Sequence, residues 1–174
     1  DKNNKLVRHI THEGPEKYRL KQERANRLVI GPDGFIWVTG RNGICRINPV
    51  SFEVDQFNDS ILSTFDTLNC PLILFTDKDN LWLSISSGGV AHCNLSTQVI
   101  TRYTTDNGLI NNGIFDLGVD RNKNIYVATR QGLSILLANG RIKNFTQKEG
   151  LLINRAEGLL LDKHNRMWIG NDIG

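Results

Sequence analysis

Three short runs repeat a turn-like chemistry along the chain: Arg41-Asn42-Gly43, Ser86-Ser87-Gly88 and Arg130-Gln131-Gly132. Two more, Asn111-Asn112-Gly113 and Asn154-Arg155-Ala156, follow a shared Gly-Leu step. The polar members form a set of ten: Arg41, Asn42, Ser86, Ser87, Asn111, Asn112, Arg130, Gln131, Asn154 and Arg155. They offer amide, hydroxyl and guanidinium groups and no carboxylate. Guanidinium forks and amides make paired hydrogen bonds, so such a set suits a hydroxyl-bearing or anionic ligand. The same residue types also populate ordinary solvated turns. Whether they form a site depends on the elements that carry them.

Other chemistry is thinly represented. The chain has no GxSxG, HExxH, GxxxxGK or GxGxxG run. His9 and His12 are three apart, which on a strand places them on opposite sides, and the adjacent His92 and Cys93 fail as joint ligands for the same reason. Cys45, Cys70 and Cys93 show no CxxC spacing and read as small buried strand residues. Asp120 and Asp162 look like a carboxylate pair, yet they occupy equivalent turns and are expected to cap hairpins. The expectation is no catalytic residue, no metal, no cofactor, and a chain that is not itself an enzyme.

Four bulky aromatics, Trp37, Trp82, Tyr126 and Trp168, recur at intervals of 45, 44 and 42 residues. That period belongs to propeller blades and to paired-helix repeats. Short Ile-, Val- and Leu-rich segments bounded by Asp, Asn and Gly decide for strands, and no window sustains a capped helical period. Sixteen Gly against four Pro suit many tight turns. The fold class expected is all-β: a partial β-propeller of about three and a half four-stranded antiparallel blades.

The expected division places the end of a preceding blade (strand d) and a linker in 1–26. Blade 1 spans 27–69, blade 2 spans 70–112 and blade 3 spans 113–155. Strands a and b of blade 4 occupy 156–174. The repeated aromatic on strand b then fills the gap that each blade presents to the next, since a lone four-stranded sheet cannot bury both faces. The linkers Arg102–Gly113 and Asn144–Ala156 repeat as well.

These features resemble the two-component regulator propeller repeat, in which Gly-Leu-x-x-Asn is followed by an Asp turn and Ile-Trp-Ile-Gly. Here it reads "FTQKEGLLIN" with "LDKHNRMWIGNDIG", and "YTTDNGLINNGIFDLGVDRNKNIYVATRQGL". The first unit departs most, and Tyr126 replaces Trp. The resemblance implies a fragment of the extracytoplasmic ligand-sensing propeller of a sensor histidine kinase. It also implies a periplasmic location, within an inner-membrane-anchored protein, and response to a glycan or oligosaccharide.

In a propeller the b–c turns and the d–a linkers share one face, so the ten polar residues are expected to gather there and to read a saccharide, an acidic one included. A protein-interaction scaffold without small ligand is the alternative, and a propeller enzyme is a third class that the absence of His and carboxylate from the set argues against. Open end blades expose apolar sheet and unpaired edges, so self-association is expected. Scattered Lys and Arg with a net charge of +3 give no nucleic-acid signature, and no apolar run reaches the ~18–20 residues of a membrane span.

Overall fold

The structure, a computed structural model, describes residues 8–57 and 60–173. The expected strand d before the first linker, and Gly174, lie largely outside them. The described residues are all-β apart from short 3-10 turns, and they form two compact units, 1–71 and 72–174.

In the first unit, β1 (Ala25–Ile30), β2 (Ile36–Gly40), β3 (Gly43–Ile47) and β4 (Val54–Asp55) make one antiparallel sheet in sequential order. Alternation sets its two faces. Val38, Cys45, Ile47 and Val54 form one apolar layer, covered by Ile10 and Leu20 from the linker. On the other face Trp37 is 2% exposed and stacks on Phe57 at 4.9 Å. Arg46, opposite Trp37 in register, pairs with Asp33 at 2.7 Å and Asp55 at 2.9 Å. A 3-10 turn, Ile61–Phe65, buries Leu62 and Phe65; the sequence pattern gave no sign of it.

The second unit holds two four-stranded sheets and a two-stranded one. The first runs β5 (Ile73–Phe75), β6 (Asn80–Ile85), β7 (Gly89–Asn94) and β8 (Val99–Tyr103). The second runs β9 (Ile114–Val119), β10 (Ile125–Thr129), β11 (Gly132–Leu136) and β12 (Ile142–Phe145). The third pairs β13 (Gly158–Leu161) with β14 (Met167–Gly170). Trp82 and Val90 from the first sheet meet Leu117, Ile125 and Val127 from the second in one buried cluster, closed by Leu109 of the linker. Trp82, the aromatic on its strand b, does fill the space between these two neighbouring sheets. At β14, where no further sheet is described, Trp168 is 56% exposed.

The turn before each aromatic is held by a carboxylate. Asp120 Oδ1 accepts from the Asn122 and Asn124 amides, and its Oδ2 accepts from the Asn124 side chain and, at 3.4 Å, the Tyr126 hydroxyl. Asp162 repeats this, accepting from the His164 and Arg166 amides, the Arg166 Nε and the Trp168 indole. The Arg166 amide above all, with those other donors, holds the Asp162 carboxyl at about 2. Hydrogen bonding to the charged form is the cause. In the first unit Gly31 occupies the same register position. A Cβ there would stand 2.3 Å from the Trp37 indole nitrogen, so Asp33 accepts that N–H instead, at 3.0 Å. Thr76 occupies the position before Trp82, and Asp77, one residue on, caps the turn through Asn80.

Candidate functional site

The linkers that carry part of the polar set are built alike. Thr104 and Thr146 each open a 3-10 turn with a capping box, and left-handed Gly108 and Gly150 close it. Asn112 Oδ1 then accepts the Thr105 amide at 2.9 Å, and Asn154 Oδ1 accepts the Gln147 amide at 2.7 Å. Asn111 accepts the amide of Gly113. These three amides therefore spend an acceptor on stapling the linker to itself. Asn42 and Ser87 sit in the left-handed region, with φ of 69 and 56 degrees, a conformation that Asn tolerates at low cost.

The hairpins bring the turns to the linkers. Gly89 donates to the Asn112 carbonyl, Arg130 to the Gly113 carbonyl, and Ala156 to the Thr129 carbonyl. Ser86, Ser87, Asn111 and Asn112 thus meet at one end of the β6–β7 hairpin. Arg130 and Gln131 meet the end of the linker bearing Asn111, and Arg155 lies beside the β10–β11 turn. Gln131 and Asn154 line a shallow cleft with Ile110, Asn144, Thr146 and Lys148. In the first unit Arg41 is exposed, and Asn42 lines a cleft with His12, Arg19, Lys21 and Gln56. Lys21 is held there by Asp66 at 2.7 Å and by the Gln56 carbonyl at 2.5 Å.

A residue outside the polar set organises its cationic part. Phe115 lies at a register break in β9: Ala128 pairs with Asp116 while Thr129 pairs with Ile114, leaving Phe115 as the extra residue of a β-bulge, a device that re-aims a side chain. The Arg155 guanidinium carbon stands 4.9 Å from the Phe115 ring centre and that of Arg130 stands 5.9 Å from it, a cation–π arrangement. Nothing in "GIFDLG" signals the bulge. β1 shows a similar break between Ala25 and Arg27, where Asn26 is the extra residue.

The ten polar residues include no carboxylate, but residues outside the set bring carboxylates to Arg155. Arg155 pairs with Glu157 at 2.5 Å and approaches Asp172 at 3.9 Å. Asp172 belongs to the turn after β14 and Glu157 to the last residue before β13, and both fold back onto the arginine. Asp116, next to Phe115, accepts the Leu159 amide at 2.9 Å. Among the described residues no three His, Cys, Asp or Glu side chains gather as a metal site, and no helix is long and apolar enough to cross a membrane. The Cys45, Cys70 and Cys93 thiols are all buried, and burial pushes Cys45 up to about 12.

No protein-family model matches the sequence. No curated protein matches it either. Solved structures do. The extracellular domain of a B. thetaiotaomicron protein described as a hybrid two-component system, BT3049, superposes with a TM-score of 0.72 at 15% identity, over 91% of this chain and 21% of that one. The extracellular domain of a second such B. thetaiotaomicron system, BT4673, gives 0.70 at 18% identity, over 92% and 23%. Virginiamycin B lyase from Staphylococcus aureus gives 0.60 at 15% identity, over 83% and 48%. The first two are proteins of the kind that the repeat motifs resemble. The chain has the β-propeller fold, shared with the extracellular domains of these two-component systems, and it spans about a fifth of their length.

Proposed function

We propose that this chain is part of the extracytoplasmic, ligand-sensing propeller of a two-component sensor histidine kinase. It reads a glycan or oligosaccharide on the face made by the b–c turns and the linkers, and the signal passes to a kinase elsewhere in the protein. The observation that carries the reading is the bulged Phe115 with Arg130 and Arg155 packed on it beside the Asn111–Gly113 linker end. The fold shared with solved extracellular sensor domains supports it. In this reading the chain is not an enzyme and lies in the periplasm, as part of a protein anchored in the inner membrane.

Self-association with a second copy belongs to the same reading. Leu160 and Trp168 are 68% and 56% exposed on β13 and β14, whereas the equivalent Trp82 of β6 is buried against the sheet that follows it.

The test is a thermal-shift screen of the 174-residue chain against neutral and acidic oligosaccharides. A ligand at a hundredfold excess over its Kd adds ~2.7 kcal/mol of stability, a readily measured shift. A clear shift with an oligosaccharide supports the sensor reading, and no shift with any of them transfers the weight to a protein-binding scaffold.

A further inference from the structure

We infer that the Phe115 site selects a neutral, hydroxyl-rich sugar over an acidic one. The inference rests on the saccharide reading above and deepens it. Taken alone, Arg130 and Arg155 suggest an anion. The structure sets acid against one of them: Glu157 and Asp172 both pair with Arg155. Two carboxylates stand against the Arg155 guanidinium, whose edge is already engaged. A sugar carboxylate entering here would meet like charge, which rejects a ligand more effectively than a missing contact does.

A neutral sugar has no such conflict. Each hydroxyl both donates and accepts, so one ring can donate to the open lone pairs of Glu157 or Asp172 and accept from Arg130. Among the described residues the Arg130 guanidinium makes no ion pair, whereas Arg155 makes two. Phe115 is half-buried, with both guanidinium groups over its ring.

The experiment titrates the 174-residue chain with neutral and acidic oligosaccharides matched in ring stereochemistry: galactan against galacturonan, glucan against glucuronan, mannan against mannuronan fragments. Arg130→Ala, Phe115→Leu and Glu157→Gln variants are run alongside, with circular dichroism as the folding control. The expected result is a neutral fragment bound at least tenfold more tightly than its acidic partner. Arg130→Ala and Phe115→Leu each weaken it tenfold or more, while Glu157→Gln narrows the neutral preference by releasing Arg155. An acidic partner bound as tightly as the neutral one overturns the inference and leaves the saccharide reading standing. So does neutral binding that ignores Arg130→Ala and Phe115→Leu, because the sugar then sits elsewhere. If no pair binds, both fall together.

Discussion

The imidazole of His92 lies nearly flat on the indole of Trp82, with ring centres 4.4 Å apart and 17° between planes. The two face each other across β6 and β7, and His92 Nε2 meets Asn80 Oδ1 at 2.8 Å. The equivalent pair in the first unit is Trp37 with Arg46. Burial lowers His92 from its usual 6.5, and Asp77 only partly opposes this. The folded state therefore holds the ring neutral where the unfolded chain would take a proton. Stability from this source is complete above 6.5 and declines as pH falls below it. Urea midpoints measured on either side of that value should show the decline, and His92→Gln should flatten it. An equally steep decline in the variant would assign it to other groups.

The two tryptophans of the second unit should differ sharply. Trp82 is 7% exposed inside the cluster between two sheets, whereas Trp168 is 56% exposed. Trp82→Ala should cost about 3–5 kcal/mol, and Trp168→Ala, which loses chiefly its bond to Asp162, under about 1.5 kcal/mol. Equal losses by chemical denaturation would mean that Trp168 is covered in solution.

Asp120 is 6% exposed, and its two oxygens serve the Asn122 and Asn124 amides and two side chains. Asp120→Ala leaves those donors short of an acceptor and should cost about 1–3 kcal/mol. Asp120→Asn, which keeps one acceptor, should recover part of the loss.

Gly132 and Gly140 both have positive φ, 133 and 83 degrees, but different surroundings. A Cβ on Gly132 would stand 2.3 Å from the Phe145 carbonyl, while Gly140 has nothing within 4 Å. Gly140→Ala should cost about 1–2 kcal/mol from backbone strain alone. Gly132→Ala should cost clearly more, because the hairpin must open. Comparable midpoints would show that the β11–β12 pairing yields easily.

The exposed Leu160 and Trp168 set the expectation for association. Static light scattering should give a mass above 19.6 kDa that falls towards the monomer in Leu160→Glu. A monomeric mass for the unsubstituted chain at every concentration would sink the self-association reading.

The sheets were legible because strands, turns and aromatics recur in step, so four weak local signals reinforce one another. The site was legible only in part. Arg130 and Arg155 could be placed at a common end of the sheets from loop position alone. Phe115 could not, since a bulge depends on how two strands pair and leaves no residue signature in "GIFDLG". Nor could the roles of Asn111, Asn112 and Asn154, whose amides suit a ligand and a backbone staple equally well; the linker geometry engages them in stapling.

By itself, the sequence determined the period, the strand chemistry, the β-propeller class, and the need for a bulky residue wherever one sheet meets the next. These follow from local alternation and from repetition, which a linear pattern records in full. Tertiary structure alone decided that Glu157 and Asp172 fold back onto Arg155, that Phe115 carries two guanidinium groups, and that Asp33 reaches the Trp37 indole where Gly31 has no side chain. Each depends on residues brought together by hairpin register and by the packing of one sheet on another. The charge balance of the site is a sum over those neighbours, so it exists only once the chain is folded.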